Sequence, residues 1–172
     1  MPSLELRRYE PRDADAVWAL HQRALRDIGA YDEEYAHLDA DLRAVPEAYL
    51  DAGGEFLVGE ATTGSDGSAS DGVVAMGGLQ PATAVDHHEA DDAGVVRRMR
   101  VDPDHQRQGY GSRLLAELEA RAADLGFDRL VLDTTPRQTA AMALYESFGY
   151  EETHRETTPA GEMVFYEKLI AE

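Results

Sequence analysis

A chain of 172 residues with 43% apolar and 8% aromatic side chains has material for one folded core, and no apolar run approaches the roughly 18 residues that span a bilayer. It contains no cysteine, which excludes disulfides, thiolate metal sites and cysteine nucleophiles, so any thiol chemistry belongs to a ligand. A net charge of −18 argues against free nucleic acid as a partner, because its phosphates would be repelled.

Fifteen of the sixteen basic residues are arginine; Lys168 is the single lysine. Two readings of this balance compete. Acid-rich, lysine-poor chains suit a salt-loaded (halophilic) cytoplasm, where self-repulsion is screened. Alternatively, an acidic surface attracts a cationic substrate. Carboxylates spread along the whole chain favour the salt reading. The opening MPSLELRRYEP lacks the pattern of a signal peptide, so a cytoplasmic location is expected, with no membrane partner.

In chain order, Leu4–Tyr9 alternates like a first strand, and Pro11 and Asp13 open a helix with Ala16, Val17, Leu20 and Ala24 on one face. A second helix is expected over Glu33–Val45, stopped by Pro46. Glu55–Ala61 and Gly72–Leu79 read as a hairpin around TTGSDGSASDG, a turn-rich surface loop with little to bury. The polar connection DHHEADDAG leads to a strand, Val95–Val101. Then come a glycine turn, helix Ser112–Leu125, strand Arg129–Asp133, helix Gln138–Phe148, and strands Glu151–Thr157 and Met163–Leu169. The order β-α-α-β-β-β-α-β-α-β-β predicts a mixed α/β fold in one domain, residues 1–172, with parallel pairing across the strand–helix–strand unit and helices on both faces.

The chemistry concentrates in VVRRMRVDPDHQRQGYGSRLLAELEARA. A strand runs into two glycines one residue apart, and an amphipathic helix begins at once. A helix start leaves backbone N–H groups unpaired and carries partial positive charge, which favours a phosphate or pyrophosphate. Arg107 and Arg113 add cations. A Walker loop needs a lysine that is absent, and a dinucleotide fingerprint needs a third glycine where Leu114 stands. A ligand-free glycine turn remains the bland alternative for a lone GxG.

Gln106-Arg107-Gln108-Gly109-Tyr110-Gly111 matches the Q/R-x-x-G-x-G/A acyl-CoA motif of the GNAT superfamily of N-acetyltransferases, and RRMRVDPDHQ resembles that family's fourth strand and following turn. QTAAMALYESFGY resembles its N-x-x-A-x-x-L-Y-x-x-x-G-F/Y signature. Two motifs in the right order are far more specific than either alone, and the resemblance is strongest from Val95 to Tyr150.

The resemblance implies acetyl-CoA as acyl donor, with no metal required. It implies that the backbone of Met99, Arg100 and Val101 pairs with the pantetheine arm where strands four and five splay apart. It places the pyrophosphate on Gln106, Arg107, Gln108, Gly109, Tyr110, Gly111 and Ser112. Gln138 stands where the family has asparagine, one methylene longer, and Ala141 lets the cofactor lie close to its helix. Tyr145 becomes the acid that protonates the departing thiolate; packing against the helix face is the alternative reading. The family's strand-four glutamate, a general base, is replaced by Val95; Glu60, Glu89, Asp91 and Asp92 are substitutes, or the amine arrives neutral.

His87 and His88, among Asp86, Glu89, Asp91 and Asp92, lack helical metal-site spacing and read as a hydrated acidic loop. Trp18, Tyr31, Tyr35 and Tyr49 line an acceptor cleft or simply pack. The expectation is an acyl-CoA-dependent N-acetyltransferase acting on a small-molecule or peptide amine, with a homodimer consistent with family habit. A non-catalytic acyl-CoA sensor of the same fold is the alternative.

Overall fold

The computed structural model describes residues 3–29, 33–63, 69–85, 92–159 and 161–170. Its elements are β1 (Ser3–Arg8), α1 (Ala14–Asp27), β2 (Glu55–Thr63), β3 (Ala69–Pro81), β4 (Ala93–Val101), α2 (Tyr110–Asp124), β5 (Arg129–Thr134), α3 (Thr139–Ser147), β6 (Glu151–Thr158) and β7 (Gly161–Leu169). The strands form one sheet in the order β1-β2-β3-β4-β5-β7-β6. Every neighbouring pair is antiparallel except β4 and β5, which the α2 crossover makes parallel.

Alternation along the strands builds a core on each face. On β2, Phe56 and Val58 join Val17 and Leu20 of α1 together with Leu42, Val45 and Tyr49. Leu57 points the other way, to Leu114, Leu115 and Leu118 of α2 and to Tyr145 of α3 in the same cluster. Entry into α1 is fixed by a 3-10 turn at Pro11–Asp13, where Asp13 accepts from the Glu10 backbone N–H and from Arg7, each at 2.8 Å. Among the described residues, no helix is long and apolar enough to cross a membrane.

Two expectations need correction. Glu33–Arg43 is a 3-10 segment broken at Asp39, not a regular α-helix. Asp39 and Asp41 both turn inward to Arg98, at 2.9 and 2.7 Å, and residues two apart on an α-helix do not face one partner. Pro46 does not end helical structure. It opens a further turn, Pro46–Leu50, in the first position, where a missing N–H costs nothing. In addition, the β2–β3 ladder continues into the turn-rich segment through Thr62↔Ser70 and Thr63↔Ala69. Residues 64–68 of that segment, and 86–91 with the His87–His88 pair, Glu89 and Asp91, lie outside the described residues.

What positions the site is the relation of β4 to β5. Their pairing covers Ala93↔Arg129, Gly94↔Leu130 and Val95↔Val131, although both strands run further. Beyond it, β4 carries a bulge: between Gly78↔Arg97 and Met76↔Arg100, two β4 residues oppose Gly77 alone, and Arg98 takes φ +60°. A bulge adds local twist, and past it the two edges part.

Candidate active site

A cleft of about 490 Å³ opens where β4 and β5 separate. Its walls are Met99–Val101, the 105–112 turn and helix start, residues 137–141 with Leu144 and Tyr145, and Ala24, Leu25 and Ile28 at the end of α1. All of the sequence-expected site residues meet here except Gln108, whose exposed side chain does not line the cleft. Arg100, Arg107 and Arg137 line it, and no aspartate or glutamate does among the described residues. In a chain with 34 acidic residues, that exclusion shapes an electropositive site.

The start of α2 is held open. Arg107 and Gly109 take φ +64° and +79°, which turns the chain sharply into the helix. Gly109 sits at the N-cap and no side chain caps it, and the first helical bond runs from Arg113 N–H to Gly109 carbonyl at 3.1 Å. The amides of Tyr110, Gly111 and Ser112 therefore have no partner within the helix, the arrangement that receives phosphate oxygens. Gly111 has a second reason to lack a side chain: a Cβ there would stand 3.3 Å from Leu144, so it sets how closely α2 approaches α3. The Tyr110 ring is buried in the core, leaving its backbone to the cleft.

On the β4 side, Met99 and Val101 pack side chains against the core. Their carbonyls receive side-chain donors instead of a β5 partner: Arg100 Nη1 reaches Met99 at 2.9 Å and Gln106 Nε2 reaches Val101 at 3.3 Å. Unpaired strand edge of this kind accepts an extended ligand.

Across the cleft, Gln138 caps the start of α3, with its N–H bonded to Thr135 at 2.9 Å, and Ala141 lies one turn before Tyr145. Tyr145 is 6% exposed, edge-on to Tyr150 at 5.9 Å, and its hydroxyl has no protein partner among the described residues. Burial pushes its pKa up to about 12, against the opposing charge of Arg100, so the phenol keeps its proton at neutral pH.

The base candidates fare differently. Glu60 accepts from Arg7 at 3.4 Å, Asp92 accepts from Arg129 at 3.0 Å, and neither lines the cleft. Val95 is fully buried. Of the aromatic candidates, Tyr49 is a core residue that donates to Asp41 at 2.5 Å and meets Phe56 edge-on. Trp18 stacks under Arg43 at 4.1 Å, away from the cleft. Tyr31 and the Tyr35 side chain lie outside the described residues.

Sequence reasoning missed His105, the α1 wall and Arg137, whose Nη1 donates to the Gly29 carbonyl at 3.1 Å and ties α1 to the start of α3. Only Arg137 left a signal, as a cation directly before Gln138. The α1 wall comes from residues more than sixty positions upstream of β4, with no local mark.

Comparison with known proteins agrees with this geometry. Residues 15–150 match the model of the Acetyltransferase (GNAT) family. The human N-acetyltransferase 8 is 42% identical over 53 residues, covering 31% of this chain and 23% of that protein. The Escherichia coli K12 ribosomal protein bS18-alanine N-acetyltransferase is 41% identical over 61 residues, 36% of this chain and 41% of that one. The chain thus spans less than half the length of these curated relatives. An acetyltransferase of Staphylococcus aureus Mu50 superposes with a TM-score of 0.76 at 18% identity, covering 98% and 99% of the two chains. A Salmonella typhimurium protein solved with its cofactor acetyl-CoA gives 0.72 at 19%, covering 98% and 95%. At such identities the likeness shows the fold.

Proposed function

Because the chain belongs to the GNAT acetyltransferase family, we propose that it binds acetyl-CoA in the β4–β5 cleft and transfers the acetyl group to a primary amine by direct attack. The observation that carries this reading is a cleft, free of carboxylates among the described residues, that joins the uncapped start of α2 to the largely buried Tyr145. The amides of Tyr110–Ser112 and the Arg107 guanidinium would take the pyrophosphate, and the open edge of Met99–Val101 the pantetheine arm.

The neutral amine attacks the thioester carbonyl carbon, a C–N bond forms, and the C–S bond breaks. A β4 amide aimed at the carbonyl oxygen would stabilise the charge that develops there. Tyr145 gives its proton to the departing sulfur, and the excess proton of the new amide goes to solvent, from which Tyr145 is reprotonated. With no carboxylate lining the cleft among the described residues, the amine would lose its first proton before it binds.

The same lack of a cleft carboxylate among the described residues favours a second reading, a non-catalytic acyl-CoA sensor. Thiol release from acetyl-CoA across a panel of amines, run beside calorimetric titration of acetyl-CoA, separates them. Turnover of any amine supports the transferase; acetyl-CoA binding with no turnover supports the sensor; no binding defeats both. We also assign the protein to a salt-loaded cytoplasm from its charge of −18, so its thermal midpoint should climb with potassium chloride as self-repulsion is screened.

A further inference from the structure

The last half of β4 carries three arginines, and one of them is met by carboxylates among the described residues. Arg97 donates to Gln80 at 2.8 Å. Arg98 is held by Asp39 at 2.9 Å and by Asp41 at 2.7 and 3.0 Å. His21 adds no charge to this group: burial lowers its pKa despite the 2.9 Å contact with Asp39. Both carboxylates therefore go to Arg98; Arg97 has a neutral amide and does not line the cleft, and Arg100 is left in the cleft with no anion among the described residues.

Arg97 aside, Arg100 is unlike the other partly buried arginines. Arg7, Arg121 and Arg129 each reach a carboxylate, at 2.8, 3.0 and 2.6 Å. Arg100 Nε is sealed from solvent without a partner, Nη1 donates to the Met99 carbonyl, and no carboxylate meets the side chain among the described residues. Burial, then the charge of Arg98, lowers its pKa to about 10, which still leaves it charged at neutral pH. Keeping such a cation uncompensated is costly, and 34 acidic residues were available to answer it.

The acyl donor does not supply the missing anion. Its pyrophosphate belongs at the start of α2, and its thioester is neutral. The thiolate that departs is transient and takes the Tyr145 proton. Arg100 and Tyr145 line the same cleft and the Arg100 charge reaches the Tyr145 hydroxyl, so the cation sits at the reacting end.

We infer that Arg100 anchors the carboxylate of the acceptor, and that the acceptor is a free amino acid. Its amine and carboxylate are only a few bond lengths apart, so one molecule can reach Tyr145's side of the cleft and Arg100 together. A peptide N-terminus lacks that carboxylate. A guanidinium fork suits it, through short charge-assisted hydrogen bonds. The inference rests on the acyl-transfer reading of the cleft.

The test compares free L-amino acids with their carboxamides in thiol release from acetyl-CoA, with rates referred to the neutral amine. The wild-type protein should prefer the acids by about 10- to 100-fold in kcat/KM, the range for a hydrogen bond to a charged group. Arg100→Gln should collapse that ratio towards one by raising KM for the acids, and Arg100→Lys should restore part of it. An acid-to-amide ratio near one in the wild type overturns the inference without any variant. So does an equal loss on both substrates in Arg100→Gln, or faster acetylation of a peptide N-terminus than of the free amino acid. If no acceptor turns over, amino acids are titrated into the acetyl-CoA complex by calorimetry. No binding there overturns the inference while leaving the cofactor site standing; failure to bind acetyl-CoA overturns the proposed function itself.

Discussion

The two ends of β4 are built for opposite purposes. At the closed end, Ala93–Val95 pairs with β5 on one side and β3 on the other, is fully buried, and is so tightly packed that a Cβ on Gly94 would stand 2.8 Å from Leu79, 3.1 Å from Phe127 and 3.2 Å from Leu130. At the open end, past the bulge at Arg98, the strand has lost its β5 partner and carries charge. Five residues of one strand pass from core to site. The difference teaches that the cleft is made by withholding a hydrogen-bonded neighbour, and the charges around the gap decide what fills it.

Substitutions at either end should therefore separate stability from function. The largest effect falls on the wall behind the open end. Asp41→Ala strips Arg98 of one of its two carboxylates and should cost about 3 kcal/mol, the low end for a broken buried pair because Asp39 remains, read from the denaturant midpoint. Burial pushes Asp39 and Asp41 up, but the contacts of Asp39 with His21 and Arg98, and of Asp41 with Arg98, hold them below the ordinary carboxylate range. Their stabilisation is complete above the unfolded-state pKa and is lost as pH falls through the depressed values. Wild-type stability should thus fall more steeply below about pH 4 than that of Asp41→Ala.

Tyr145→Phe comes next. It should lower kcat about 100-fold while acetyl-CoA affinity, measured by calorimetry, shifts no more than about twofold. Unchanged turnover would remove the proton-donor role. With the phenol held at about 12, kcat/KM should rise with pH until the acceptor amine is neutral, with no fall on the alkaline side below that value. A descending limb near pH 7 would point to a protein acid or base elsewhere.

At the closed end, Gly94→Ala overfills a packed site and should cost about 1–2 kcal/mol in denaturation, leaving acetyl-CoA binding intact. The smallest effect is at the turn into α2. Gly109→Ala meets no atom, but φ +79° is strained for alanine by about 1 kcal/mol. It should weaken acetyl-CoA binding by roughly fivefold, and a larger loss of overall stability than of affinity would show that the turn serves folding more than binding.

Much of this was legible in advance because it was local. Strand alternation, the helix-opening Pro11, the glycine turn and the placement of Tyr145 on a helix after β5 all follow from neighbours within a few positions. The element order and the parallel β4–β5 pair followed from those. The broken helix at Asp39 was not legible, because its cause is an arginine almost sixty residues away. Pro46 misled for a related reason: a proline that stops one helix and one that starts the next turn look the same without the surrounding chain.

By itself the sequence determined the family-like motifs, the absence of cysteine chemistry in the protein, and which segments would come together along the cleft. These are properties of residue type at fixed short spacing. Only the tertiary structure decided that no carboxylate of the described residues lines the cleft, that Glu60 and Asp92 are occupied elsewhere, that α1 and Arg137 close one wall, and that the β4 arginine in the cleft, Arg100, meets no carboxylate among those residues. Charge compensation is a matter of distance in space, and a sequence of 34 acids and 16 bases does not say which of them meet.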